Sequence, residues 1–209
     1  MNVLILVDIQ NDFLPGGALA VNEGDQIVTL VNEIQPLFPL VVATQDWHPA
    51  DHGSFAANHS GKKIGQIIDL NGLDQILWPT HCVQGSTGAE FVKTLKLDQI
   101  DEIFQKGTDQ QIDSYSGFFD NGHRKATGLG DYLSESGVTN VYIVGLATDY
   151  CVKFTALDAK ALGFETYLIE DGCRGVNLQP GDVSAAIEEM RTAGVNIIQS
   201  VDLLSTKLE

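Results

Sequence analysis

Positive charge is scarce in this chain. Its 209 residues carry 12 lysines and arginines against 28 aspartates and glutamates, a formal net charge of -16. A surface of that sign repels phosphate backbones and anionic headgroups, so neither nucleic acid nor membrane is expected as a partner. Cysteine is scarce too: three residues, an odd number, with no Cys-x-x-Cys pair. That excludes a disulfide framework, weighs against a dithiol redox protein and fits a reducing compartment. Long apolar runs are missing as well, none approaching the roughly 20 residues of a membrane span. The opening VLILV has no basic flank and is broken by Asp8, unlike a signal peptide. A cytoplasmic location is the expectation.

A hydrophobic content of 44% over 209 residues suits one sizeable core, and a single domain over residues 1–209 is expected. Short β-branched runs fall at residues 3–7, 40–44, 102–105, 141–145, 165–169 and 195–199. Their near-continuous apolar character suits strands covered on both faces, as in a parallel sheet. Helical patterns lie between them at 26–35, 130–136, 148–162 and 183–193, the first stopped by Pro36, the last two by Gly163 and Gly194. The alternation predicts an α/β fold: a doubly wound, mainly parallel six-stranded sheet with helices on both faces. Residues 45–88 break the pattern. They read as a long irregular insertion rich in His, Gly, Ser and Pro, and a loop that long in a compact domain is usually functional.

Ligands of open parallel sheets bind beyond the carboxyl ends of the strands, so the residues following each strand matter most. Asp8 follows the first strand, Gln45-Asp46-Trp47-His48 the second, Lys106 the third, and the turn LATDYC leads from the fourth to Cys151. Each has a bland reading alone: a turn carboxylate, a solvated lysine, a packed thiol. Together they place a carboxylate, an ammonium and a thiol on one rim. A free thiol, with a pKa of about 8.5, is mostly protonated at neutral pH. A helix start and a nearby lysine favour the thiolate, and a carboxylate in reach can take its proton. Cys151 is therefore placed as a nucleophile, Asp8 as its base and Lys106 as the partner that keeps both charged. On this reading Lys106→Ala should cost far more rate than fold stability. Backbone N–H groups of Ala147 and Cys151 are candidates for an oxyanion hole.

A second set of residues suggests a metal. Asp46 and His48, two apart, share a side of an extended segment, and His81 in LWPTHCVQGS is a third candidate. An Asp and two His with open positions suit one divalent ion, zinc first, with iron or manganese as alternatives. His52 is four residues from His48, but Pro49 and Gly53 argue against the helix that would pair them, so it is only a tentative fourth ligand. Phe13 and Trp78 flank these motifs and could offer apolar walls for a flat ring.

In order along the chain, VDIQNDFLPGG, TQDWHPADHGSFA, WPTHCVQGS, QKG and GLATDYCV resemble the nicotinamidase/pyrazinamidase family of isochorismatase-like cysteine hydrolases. The resemblance runs from Val3 to about Ile198. It implies Asp8, Lys106 and Cys151 as a catalytic triad, Asp46, His48 and His81 as metal ligands, and Phe13 and Trp78 as a sandwich around a pyridine ring. It further implies a cis peptide between Leu146 and Ala147 shaping the oxyanion hole, and Tyr115 of SYSGFFD as a pocket residue. The implied reaction is hydrolysis of nicotinamide to nicotinate and ammonia through a cysteine thioester, with pyrazinamide as a related substrate and a role in NAD salvage.

Three other readings stand beside it. One is an amidase of the same fold acting on another small amide, such as a carbamoylated amine. The second is a metalloenzyme in which zinc-bound hydroxide attacks and Cys151 is structural. The third is a catalytically silent metal-binding or thiol redox protein, the redox version weakened by the lack of a Cys-x-x-Cys pair. Subunit number is open, a homo-oligomer included.

Overall fold

The computed structural model describes residues 1–205; residues 206–209 of the expected 1–209 domain lie outside the described residues. The chain begins with β1 (Asn2–Val7), α1 (Ile27–Ile34) and β2 (Val41–Asp46), continues through a small hairpin of β3 (Ile67–Leu70) and β4 (Leu73–Ile76), and reaches β5 (Glu102–Lys106). Then come α2 (Leu129–Glu135), β6 (Asn140–Leu146), α3 (Lys153–Ala161), β7 (Glu165–Arg174), α4 (Asp182–Thr192), β8 (Asn196–Ile198) and α5 (Ser200–Ser205). The main sheet has the order β5-β2-β1-β6-β7-β8, and every pairing in it is parallel. β1 lies at the centre. From it the chain winds first toward β5 and then, from β6 onward, toward β8, so the winding direction reverses between β1 and β6. A crevice opens at such a reversal, beyond the carboxyl ends of the strands.

Alternation along β1 divides the core into two halves. Val3, Ile5 and Val7 face a cluster with Leu129, Leu133, Val152, Ala156 and Met190 from α2, α3, α4 and the turn before α3. Leu4 and Leu6 face the opposite cluster with Val28, Val31 and Ile34 of α1. All five of these β1 residues are fully buried, which is why the strand reads as a continuous apolar run rather than an alternating one. None of the helices among the described residues is long and apolar enough to cross a membrane.

All six expected strands are present, with three differences in detail. Residues 45–88 are not wholly irregular: they contain the antiparallel β3–β4 hairpin, paired Ile67 to Ile76 through Leu70 to Leu73. Its strands are four residues long with mostly exposed or half-buried side chains, too short and too polar for a clear period-two signal. The helix expected at 148–162 starts as a π-helical turn, Thr148–Val152, before α3. β7 runs on to Arg174 and re-pairs Gly145 with Cys173 after an irregularity, so Cys173 sits buried in the sheet.

β1 and β6 approach so closely that Gly145 (φ +127°) has its missing Cβ directed at the backbone of Val7, 2.1 Å from the carbonyl oxygen. Both the conformation and the space require glycine. Gly145→Ala is expected to destabilise the protein by about 3 kcal/mol or more, read as a lower midpoint in urea unfolding; an unchanged midpoint would show that the two strands can separate at little cost.

Candidate active site

Strand register assembles the site. β2 and β5 pair Asp46 directly opposite Lys106, and β1 and β6 pair Val7 with Gly145. The three strand ends therefore deliver Asp8, Asp46 and Lys106 to the same edge, and the π-helical turn after β6 brings Cys151 over them. Asp8 adopts a left-handed conformation, φ +50°. Its Oδ1 accepts a 2.6 Å hydrogen bond from Thr44 Oγ1. Lys106 Nζ lies 2.9 Å from Asp8 Oδ2 and 2.6 Å from Asp46 Oδ1. It also donates to the Ser114 carbonyl at 2.8 Å and stands 3.4 Å from Cys151 Sγ.

Burial sets the resting charges of this group. It opposes ionisation of Lys106, yet Asp46 and Asp8 outweigh it and raise the ammonium pKa well above its ordinary value. Burial likewise opposes ionisation of Asp46, but Lys106 holds that carboxyl well below the usual range. For Asp8, burial reinforced by the Asp46 charge prevails over Lys106 and raises the pKa. Burial also pushes the Cys151 thiol well up, opposed by Lys106 and assisted by Asp8 and Asp46. The sequence led to the expectation of a thiolate favoured by helix start and lysine. Burial, with two carboxylates sharing the lysine charge, instead favours the neutral thiol at rest.

Asp46, His48 and His81 form a group close enough to hold a metal ion. Their loops are tied together: His48 N–H donates to the Cys82 carbonyl at 3.0 Å, and Gln84 N–H to the His48 carbonyl at 2.8 Å. His48 Nδ1 faces the Gly107 carbonyl at 2.8 Å and His81 Nδ1 the Pro79 carbonyl at 2.7 Å. A carbonyl only accepts, so both Nδ1 atoms carry the hydrogen, and in the neutral rings both Nε2 atoms present lone pairs. Those lone pairs meet Asp46 Oδ2 at 3.2 and 3.6 Å, and His48 Nε2 is buried without a hydrogen bond. Two lone pairs and a carboxylate facing one another repel unless a cation stands among them, and backbone-anchored imidazoles of this kind are typical of metal ligands. The residues therefore fit a divalent ion. Gly107, at φ +62°, is needed where it is: a Cβ there would lie 2.3 Å from the His48 ring.

His52 does not join that group. Its ring centroid is 4.3 Å from that of His48, and it belongs to a neighbouring cluster with His48 and Asp113. Its nitrogens, however, have other partners: Nδ1 accepts from the Ser54 N–H at 3.2 Å, and Nε2 faces the Ile112 carbonyl at 3.4 Å.

Phe13, Trp78, Tyr115, Ala147 and Cys151 line one pocket together with Asp46 and His81. The Leu146–Ala147 peptide is cis. Several pocket residues carried no sequence signal. Leu19, Asp113, Tyr150 and Val176 also line it, and Thr44 and Gln75 reach it through hydrogen bonds. Asp12, read from sequence as a turn residue, does more: its Oδ2 accepts from the Cys82 N–H at 2.7 Å, fixing the turn that carries His81. Cys82 is fully buried in the core beside it.

Comparison with known proteins agrees with this picture. The isochorismatase domain family matches residues 2–202. The nicotinamidase of Escherichia coli K12 is 49% identical over 98% of this chain and 97% of its own length. Among solved structures, a nicotinamidase/pyrazinamidase of Acinetobacter baumanii superposes with a TM-score of 0.94 at 48% identity, covering 97% of each chain. A pyrazinamidase of Pyrococcus horikoshii, solved in complex with zinc, gives a TM-score of 0.77 at 43% identity, over 95% of this chain and 98% of the other.

The buried ammonium has a structural share that the sequence understated. Removing it leaves two adjacent carboxylates buried without a counter-charge, so Lys106→Ala is expected to lose about 3–5 kcal/mol of stability in addition to its rate. A loss below about 1 kcal/mol in chemical unfolding, the scale of an exposed pair, would show that water reaches the site freely.

Proposed function

The chain belongs to the isochorismatase family and, within it, to the nicotinamidases, and from that premise we propose that it hydrolyses nicotinamide to nicotinate and ammonia with Cys151 as nucleophile. The observation that carries the proposal is the meeting of Asp8 and Lys106 with Cys151, which lines a pocket together with Phe13 and Trp78. The pocket with aromatic walls favours a ring amide over an open-chain carbamoylated amine.

Asp8 accepts the thiol proton as Cys151 Sγ attacks the amide carbon, so the neutral thiol of the resting site is ionised only as the bond forms. The negative charge that develops on the amide oxygen falls to the backbone N–H groups of Ala147 and Cys151. Asp8 then returns the proton to the departing nitrogen, ammonia leaves, and a nicotinoyl thioester remains on Cys151. Water enters, Asp8 takes its proton, and the thioester breaks to nicotinate and a free thiol. Lys106 compensates the Asp8 charge each time it forms.

Asp46, His48 and His81 would hold a divalent ion, zinc by the chemistry of their donor set. When bound it would supply a Lewis-acid anchor for the ring nitrogen, directly or through water. Phe13 and Trp78 would hold the ring faces and bring the amide carbon over the sulfur. Pyrazinamide presents the same amide on a ring of the same size and is expected to react.

Incubation with nicotinamide should yield nicotinate and ammonia in equal amounts, falling sharply after chelation and returning with added divalent metal. Absence of either product in the metal-loaded protein would refute the proposal. Because Asp8 must begin ionised and its pKa is raised, kcat/KM should fall with acid at a pH above the ordinary aspartate range. The Thr44 hydrogen bond lowers that pKa, so Thr44→Val should move the acidic limb further up. A limb that stays in place would remove Asp8 from the role of base.

A further inference from the structure

Gln75 is the only buried residue of β4, whose other side chains are half-buried or exposed, and it is only 2% accessible. Its amide nitrogen Nε2 lies 2.8 Å from the Ile76 carbonyl and 3.1 Å from Asp113 Oδ2. Both are acceptors, which fixes the amide with its NH2 facing them rather than its oxygen. The same Nε2 lies 3.1 Å from Tyr115 Oη. Trp78 Nε1 reaches that phenolic oxygen from another side, also at 3.1 Å. The two amide hydrogens serve three acceptors, one of them shared between Asp113 Oδ2 and Tyr115 Oη; an indole N–H and an amide NH2 only donate, so neither can accept from Tyr115 Oη. Its own hydrogen must then point away from them. Tyr115 and Trp78 both line the pocket above Cys151.

We propose that Gln75 is a positioning residue for the reaction. It holds the Tyr115 hydroxyl as a compulsory donor toward an acceptor atom of the bound ring amide, and through Tyr115 it fixes the plane of the Trp78 ring. The β3–β4 hairpin thereby gains a function that its exposed strands do not suggest: it carries the amide that sets the polarity of one pocket wall. This deepens the reading of the site as a nicotinamidase and rests on that reading. Gln75 touches no reacting atom, so its effect belongs to substrate binding, not to bond breaking.

The test is a double-mutant cycle of Gln75→Leu and Tyr115→Phe in the metal-loaded enzyme, read as KM and kcat for nicotinamide. Gln75→Leu should raise KM about fivefold, the scale of one hydrogen bond, with kcat nearly unchanged. In the Tyr115→Phe background the same substitution should have almost no further effect on KM. An unchanged KM, or a full Gln75→Leu effect without the phenol, would overturn the proposal. If Gln75→Leu does not fold, Gln75→Glu replaces it: the carboxylate offers Tyr115 an acceptor, turns its hydrogen out of the pocket and should raise KM likewise. Should the parent enzyme not act on nicotinamide, the catalytic reading fails, and the clasp is judged without substrate. The chain has two tryptophans, so the Trp78 indole N–H resonance can be followed with Trp47 as internal reference. Gln75→Leu should shift it, and an unmoved resonance would refute the clasp.

Discussion

One buried ammonium holds two carboxylates that burial alone would drive to protonate. Lys106 Nζ lies within 3 Å of both Asp8 and Asp46, and through them it joins the cysteine side of the pocket to the histidine side. In a dry site such charges interact strongly and are costly to separate. The division of labour follows from that geometry. Asp46, contacted at the shorter distance and flanked by His48 and His81, stays ionised as a ligand. Asp8, with the weaker share of the ammonium, is left with a raised pKa and can exchange a proton. Two carboxylates in one pocket thus take different roles because their surroundings push their pKa values apart.

The sheet makes the arrangement possible. The β2–β5 register puts Asp46 opposite Lys106, and the reversal of winding between β1 and β6 opens the crevice into which Asp8 and the turn carrying Cys151 project. The buried residues 3–7 of β1 and the glycine at position 145 keep these strands close enough for a thiol after β6 to reach an acid after β1. The loops around His48 and His81 are irregular in dihedral angles but firmly bonded. Each of the two imidazoles is aimed by a backbone carbonyl, and Asp12 holds the turn between His81 and Cys82.

Much of this was legible in the sequence because strand ends are legible. Apolar β-branched runs mark parallel strands, and the polar residue after each run marks the rim, so Asp8, Asp46, Lys106 and Cys151 could be named from position and chemistry alone. His81 lies in a loop, where only residue type pointed to it. What stayed hidden depends on three-dimensional partners. Gln75, Thr44 and Asp113 are ordinary polar residues until their hydrogen bonds are seen. His52, only a tentative ligand by spacing, turns both nitrogens to other partners, Ser54 and Ile112. The surroundings of Cys151 were hidden in the same way: the sequence shows a lysine, but neither the burial of the thiol nor the two carboxylates that share the lysine charge.

The central claim is that Cys151 forms the bond to substrate, and one measurement tests it directly. It is the rate of ammonia release from nicotinamide by a Cys151→Ala protein whose metal content matches that of the parent. A rate indistinguishable from the uncatalysed reaction is what the account predicts. Turnover within about tenfold of the parent, a difference in barrier of only about 1.4 kcal/mol, would contradict it and leave a metal-activated water as the nucleophile.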